Sequence, residues 1–167
     1  MLELKLLSTE AVPSALLKVE RYRLLNEPAQ AESICLDILH AVPEHQQATI
    51  MLLLTQADQF EKDPMRFHDA METVTRIDDA YERLYFTGML WERRARARFD
   101  QGGYGSSVIV HEWYLEAMRW YEKAEAIRPA GNDDALLRWN TCARFLNNHP
   151  DTRELPNADS YEPQLLE

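Results

Sequence analysis

The sequence predicts an all-α protein, and three observations support that prediction. Apolar residues recur at intervals of three and four along most of the chain, which is the spacing of a buried helix face. No segment alternates convincingly between apolar and polar residues with the period of two that a half-buried strand requires. Glycine and proline fall mainly between the periodic segments. These segments cover residues 15–25, 31–42, 46–60, 65–77, 80–99, 111–127 and 133–146.

The breaks between these segments assign each helix its limits. Residues 26–28 end the first helix and start the second, because proline is favoured in a first helical turn. Pro43 ends the second helix, and Pro64 separates the third from the fourth. The short connections predict antiparallel neighbours. The remaining signals are the glycines between helices five and six and the cap candidates of helix seven: Gly102, Gly103, Gly105, Asn132 and Asp133.

The C-terminal segment differs in character from the rest. Residues 148–167 contain three prolines and five acidic residues and have little periodicity. We therefore predict one helical domain over residues 1–147, followed by an extended acidic tail over 148–167.

Composition and charge limit the classes of partner. Hydrophobic residues make up 46% of the chain and charged residues 28%, as in ordinary folded domains. The formal net charge of −10 repels polyanions, so binding to nucleic acid or to anionic membranes is not expected. The longest apolar run, residues 50–54, is far shorter than the roughly 20 residues of a membrane span. The N-terminus lacks a secretion-signal pattern, so we expect a cytoplasmic protein.

No pattern in the chain indicates catalysis or metal binding. Cys35 and Cys142 are far apart and form no CxxC pair, so both are predicted to be reduced core residues. The five histidines are scattered, no HExxH spacing occurs and no serine or cysteine stands in a nucleophile elbow. We therefore predict no catalytic residue, no metal and no cofactor.

An internal repeat is present in the periodic segments. Two helices carry the same pattern, in which a small residue is followed after 4, 7 and 12 positions by two further buried-face residues and a proline. A third helix keeps the first three positions without the proline. The three sets are Ala31, Cys35, Ile38 and Pro43; Ala117, Tyr121, Ala124 and Pro129; and Ala70, Val74 and Ile77.

This spacing is that of the second helix in tetratricopeptide repeats, whose period is about 34 residues. The chain resembles a degenerate member of that family, and YLEAMRWYEKAEAIRP, residues 114–129, is its strongest match. The step from Ala31 to Ala70 is 39 residues and that from Ala70 to Ala117 is 47. Both steps exceed the period of about 34 residues. The larger excess falls across WERRARARFDQGGYGSS, residues 91–107, and this segment is predicted to lengthen the first helix of the third repeat.

The resemblance implies a right-handed superhelix of about three helix pairs with a C-terminal capping helix. Such repeats generally serve as non-catalytic scaffolds that bind a protein or peptide in a concave groove. Family members that clamp a peptide carboxylate use lysine and asparagine where this chain has Leu16 and Glu20, which argues against a chaperone-tail clamp. The groove residues implied by the register are Leu16, Glu20, Arg23, Ile50, Leu54, Phe86, Met89, Leu90, Arg93, Asn140 and Arg144, with Ala57 beside them.

The fifth helix carries two apolar faces with four arginines at its C-terminal end. Because residues rotate by about 100° along a helix, these arginines are predicted to point in four directions. Cations are favoured at a helix C-terminus, although Arg93 or Arg94 contacting an acidic partner segment is a competing interpretation. The faces are Tyr81, Leu84, Tyr85, Gly88, Trp91, Ala95 and Phe99 on one side, and Phe86, Leu90 and Ala97 on the other; the arginines are Arg93, Arg94, Arg96 and Arg98.

Two alternatives to the scaffold stay open. The first is a homo-oligomer in which a second copy or the C-terminal tail covers the groove. The second is a small enzyme or ligand-binding protein that uses the glycine-rich loop, with Tyr104 at its tip, and the adjacent His111 and Glu112. The loop GGYGSS lacks the lysine and the preceding strand of a phosphate-binding P-loop.

Overall fold

The computed structural model describes residues 2–103 and 106–153, and all regular structure in these ranges is helical. The all-α prediction is confirmed. Short 3-10 helices, Thr9–Ala11 and Pro150–Arg153, stand at the two ends. The seven α-helices are α1 (Val12–Leu24), α2 (Pro28–Ala41), α3 (Gln46–Ala57), α4 (Arg66–Val74), α5 (Ala80–Gln101), α6 (Ser106–Ala126) and α7 (Asp134–Asn148).

Most helix limits are within two residues of those predicted, but α6 begins five residues earlier than predicted and α3 ends three residues earlier. Pro28 is the first residue of α2, and Gly102 follows α5 with a φ of 66°, which residues other than glycine rarely adopt. The Asp79 carboxylate caps α5 by accepting a hydrogen bond from the Glu82 backbone N–H at 2.8 Å. Helix α4 ends three residues earlier than predicted, because the backbone hydrogen bonds of residues 75–77 span three residues instead of four.

The helices pack in chain order and form two layers. Each α-helix contacts the next one, and α1 also contacts α3, α3 contacts α5 and α5 contacts α7. Within the described ranges the even-numbered helices make no comparable contacts with one another. The odd-numbered helices therefore form one continuous layer, and the even-numbered helices cover one side of it in an all-α superhelical arrangement.

The predicted repeat positions form the contact between the layers. Apart from Pro43 and Pro129, which are exposed, all nine positions are at most 3% exposed, so the small residues among them allow paired helices to approach closely. Their burial confirms the predicted helix faces, which are Ala31, Cys35 and Ile38 on α2, Ala70 and Val74 on α4 with Ile77 just beyond it, and Ala117, Tyr121 and Ala124 on α6.

Helix α5 is packed on two sides, as predicted. One face packs into a cluster with α6 and α7, and the other packs into a cluster with α3 and α4. A third cluster joins α1, α2 and α3. At Gly88 the α5 backbone approaches α6 so closely that a Cβ there would lie 2.8 Å from the Tyr121 ring.

Two buried carboxylates connect side chains from different parts of the helical array. The fully buried Tyr121 hydroxyl donates a hydrogen bond of 2.6 Å to Glu92 on α5. Arg138 Nε on α7 lies 3.2 Å from the same carboxylate oxygen, an ion-pair distance, although its N–H is not aligned for a hydrogen bond. On α2, Glu32 accepts hydrogen bonds from Gln59 at 2.7 Å and from Arg66 at 3.0 Å. These carboxylates are thus paired where unpaired burial would be costly.

The C-terminal end of the described chain packs against α6. Helix α7 ends one residue after the predicted domain limit, and the first residues of the predicted tail form the 3-10 helix Pro150–Arg153. Thr152 in this turn is fully buried, and its hydroxyl lies 3.1 Å from His111 Nδ1. Burial and the nearby Arg153 lower the pKa of His111. Residues 154–167 lie outside the described residues.

Candidate functional site

A partly exposed group of apolar side chains lies on the odd-numbered layer. Ile50 and Leu54 stand one turn apart on α3, and Phe86 lies on α5. All three pack against the buried cluster that contains Leu53 and Leu90 while keeping part of their surface exposed. We call Ile50, Leu54 and Phe86 the apolar strip. Sequence reasoning assigned all three to a groove, and in the structure all three lie on the odd-numbered layer.

A charged link lies on the same layer. Asp58, the residue that follows α3, accepts a hydrogen bond of 2.7 Å from Arg23 Nε on α1 through Oδ2, and it pairs with Arg93 Nη1 on α5 through Oδ1. The three side chains are only 22 to 32% exposed, so solvent screens these contacts weakly. We call these three residues the Asp58 link, since one carboxylate connects three odd-numbered helices.

A wide depression adjoins the Asp58 link. It measures about 540 Å³ and brings together Glu20, Arg23, Met51 and Asp58. Glu20 and Arg23 were predicted site residues, whereas Asp58 and Met51 were not. Asp58 follows the last residue of the third helix and resembles an ordinary helix-end acid, so only the packing of three helices indicates its role.

Three predicted groove residues are core residues instead, and for them the prediction was wrong. Leu16 is 8% exposed, Met89 3% and Leu90 0%. Each is covered by neighbouring helices within the hydrophobic clusters, so none presents a surface to a partner. Ala57, at 5% exposure, is buried as well. A helical face deduced from spacing includes the side chains that a neighbouring helix will cover.

The other predicted site residues are less closely connected to the strip. Asn140 is partly buried and Arg144 is exposed, and both lie on α7. Within the described ranges neither side chain forms an ion pair or a hydrogen bond. Tyr104 lies outside the described residues.

The four arginines of α5 have different surroundings. Arg93 pairs with Asp58 and Arg96 with Asp100, and these two point in different directions as predicted. Arg94 and Arg98 line one cavity, so for them the prediction of divergence was wrong. The reason is their spacing, since residues four apart lie on the same side of a helix. Arg98 also donates a hydrogen bond of 3.0 Å to the carbonyl of Gly102 at the end of α5.

His111 and Glu112, the two residues of the alternative enzyme that the structure describes, are not brought into one cavity. His111 faces Thr152, while the neighbouring Glu112 lines a shallow depression together with Trp113 and Arg119. Among the described residues, no three histidine, cysteine or acidic side chains are grouped as metal ligands would be. Cys35 and Cys142 are buried free thiols, as predicted. No helix within the described ranges combines the length and apolar character needed to cross a membrane.

The fold and the strip define a class, an all-α array of helix pairs with a partly exposed apolar strip and a charged link on one layer. Compared with protein-family models, with curated proteins and with solved structures, the chain matches none of them.

Proposed function

We propose that this protein is a non-catalytic interaction scaffold of the tetratricopeptide-like type, which binds a segment of another protein along the odd-numbered layer. The observation that carries the proposal is the apolar strip, which is fixed on the core by its inner side and exposed by its outer side. The contacts between successive odd-numbered helices support it as well, because they form a continuous layer along which an extended segment can lie.

The chemistry of the layer indicates what a partner must supply. Ile50, Leu54 and Phe86 provide apolar side chains that a partner can bury, and a few such anchors carry most of the energy of a protein interface. Arg93 is already neutralised in part by Asp58, so an acidic partner group must compete for it. Arg144 is exposed on α7 and offers a cation at the far end of the layer. We therefore propose a partner segment with apolar anchors and, towards α7, an acidic or backbone carbonyl group.

The test compares Leu54→Glu and Phe86→Glu with Leu36→Glu in a pull-down from lysate. Leu36 is 53% exposed on α2, in the other layer, and therefore serves as a matched control. Loss of one hot-spot contact costs about 2 kcal/mol, which weakens binding by about 30-fold. We expect the partner to be lost from both strip variants and retained by the control.

Circular dichroism first establishes that each variant folds. A partner retained equally by all three folded variants would show that the strip is not the binding surface. If Phe86→Glu alone unfolds, then Leu54→Glu still decides the question, because Leu54 is independent of Phe86 in sequence and lies on another helix. We also propose that the protein is cytoplasmic, and cell fractionation tests this location.

A second candidate function is self-association. Leu2, Leu4 and Leu6 lie in the non-helical segment before α1 and are 96, 85 and 74% exposed. Three strongly exposed leucines so close together in the sequence offer an apolar surface to a second copy of the chain. Light scattering over a range of concentrations tests this candidate. A mass that stays at one chain throughout would eliminate it, and a dimer that Leu4→Glu dissociates would favour it over a monomeric scaffold.

A further inference from the structure

A small cavity opens beside the C-terminal half of α5, away from the Asp58 link. Its volume is about 270 Å³, and it lies between α5, the start of α4, the segment before α4 and α6. The walls include the rings of Phe60, Phe67 and Trp113, and the polar groups are Arg94, Arg98 and Gln101. None of the described residues that line it is acidic. Two arginines therefore share a cavity without a carboxylate, in a chain whose net charge is −10.

Arg94 lies over two aromatic rings of this cavity. Its guanidinium carbon lies 4.1 Å from the centre of the Phe67 ring and 4.0 Å from that of Trp113. Within the described ranges it forms no ion pair and no side-chain hydrogen bond, whereas Arg93 and Arg96 on the same helix each have a carboxylate. Burial lowers the pKa of Arg94. The structure thus keeps a partly desolvated cation whose hydrogen-bond donors, all in the guanidinium plane, are unused.

The aromatic residues around Arg94 fix its orientation. Phe67 packs edge to face against Phe60 at 5.7 Å and against Trp91 at 4.9 Å, measured between ring centres. Trp91 in turn contacts Trp113 at 6.4 Å. A guanidinium that lies over two rings, each packed against Trp91, loses little freedom when it binds a ligand, so the site is preorganised.

We infer that this cavity binds a carboxylate carried on a small apolar or aromatic body. The planar edge of a guanidinium matches a carboxylate with two parallel hydrogen bonds. The ring walls suit an apolar body, and the volume falls just below the range of sites for drug-sized ligands.

The same geometry disfavours other ligands. A cationic ligand of the kind that aromatic cages bind would meet Arg94 already in that position. Inorganic phosphate carries no apolar body, so it would leave the rings of Phe60, Phe67 and Trp113 without a ligand contact.

The experiment titrates the full chain with 3-phenylpropanoate, with its neutral amide and with inorganic phosphate. Binding is measured by calorimetry and by the indole N–H signals of Trp91 and Trp113. Arg94→Gln removes the proposed contact. Arg96→Gln is the control, because it removes an equal charge two residues from Arg94, where the arginine forms an exposed ion pair with Asp100. We expect the carboxylate to bind at least about tenfold more tightly than the amide. We also expect Arg94→Gln to weaken the binding of 3-phenylpropanoate at least about tenfold. Arg96→Gln should change that affinity by no more than about twofold.

Several results would overturn the inference. Equal affinities for the acid and the amide would do so, and so would an equal loss of affinity in Arg94→Gln and Arg96→Gln. Phosphate binding as tight as that of the carboxylate, or no binding of 3-phenylpropanoate at about 10 mM, would overturn it as well. If Arg94→Gln does not fold, Arg94→Lys replaces it, because lysine keeps the charge but lacks the planar fork, and the same loss is expected.

The chain's own acidic residues are a competing source of the carboxylate. A further variant therefore changes the four acidic residues of 154–167 to amides: Glu154→Gln, Asp159→Asn, Glu162→Gln and Glu167→Gln. If 3-phenylpropanoate binds only to this variant, the chain itself fills the cavity and the inference of an external ligand is wrong. If both chains bind it alike, the ligand comes from outside the chain.

Discussion

Replacing Asp58 with asparagine should destabilise the protein more than its position at a helix end suggests. Asp58→Asn keeps the shape of the side chain and removes the charge that Arg23 and Arg93 share. Exposed ion pairs contribute about 0.2 to 1 kcal/mol, and hydrogen bonds to charged groups contribute about 1.5 to 3 kcal/mol. The three side chains are roughly three-quarters buried, so each contact falls between these ranges. We estimate about 1 kcal/mol for each contact and about 2 kcal/mol in total.

Thermal unfolding measures this effect. For a chain of 167 residues, 1 kcal/mol corresponds to a change in Tm of about 2 to 4 °C, so the expected decrease is about 4 to 8 °C. The matched control is Asp100→Asn. Asp100 pairs with Arg96 at 3.0 Å within one helix, and those side chains are 39 and 60% exposed, so the control should lose at most about 0.5 kcal/mol.

Equal changes in Tm for Asp58→Asn and Asp100→Asn would refute the reasoning, since they would show that connecting three helices adds nothing to an ordinary surface pair. A double-mutant cycle with Arg93→Gln provides a second criterion. The two substitutions should be less than additive, because each removes the same contact.

Three further predictions concern the core. Gly88→Ala should lower the Tm although alanine favours helices, because its Cβ would lie 2.8 Å from the Tyr121 ring, which is fully buried and cannot move aside; an unchanged or higher Tm would contradict this. Burial raises the pKa of Tyr114 and of Tyr121 above the ordinary value of 10.0, so the folded chain keeps protons that the unfolded chain releases. The free energy of unfolding should therefore fall as the pH rises beyond about 10, and urea titrations should show a smaller fall for a folded Tyr121→Phe variant. Burial raises the pKa of Cys35 to about 12 and raises that of Cys142 as well. Thiol labelling at neutral pH should be slow in the native protein and fast in denaturant, and equal rates would refute the burial of these residues.

The parts of the fold that could be predicted depend on residues close together in sequence. Ala31, Cys35 and Ile38 lie within two turns of one helix, so their spacing alone defines the face that becomes buried. The same holds for the two faces of α5. Proline and glycine define the helix limits for a local reason too, because each restricts or extends the backbone conformations at its own position.

The candidate site depends on contacts that the local pattern does not contain. Asp58 is 35 residues from Arg23 and from Arg93, and only the packing of α1, α3 and α5 brings them together. Leu90 lies on the predicted apolar face of its helix but is covered by α3 and α4, which spacing along one helix does not reveal. The position of Arg94 over two rings likewise requires Phe67 from α4 and Trp113 from α6.

The three hydrophobic clusters succeed one another along the chain, and each neighbouring pair shares one helix. The clusters of α1 to α3 and of α3 to α5 share α3, and those of α3 to α5 and of α5 to α7 share α5. In such a linear arrangement the ends separate from the middle at lower cost than the whole molecule unfolds. Amide hydrogen exchange should therefore be slowest in α3 and α5 and fastest in the outermost helices. The outermost helices at either end can then open transiently, while α3 and α5, which carry the apolar strip, keep their structure.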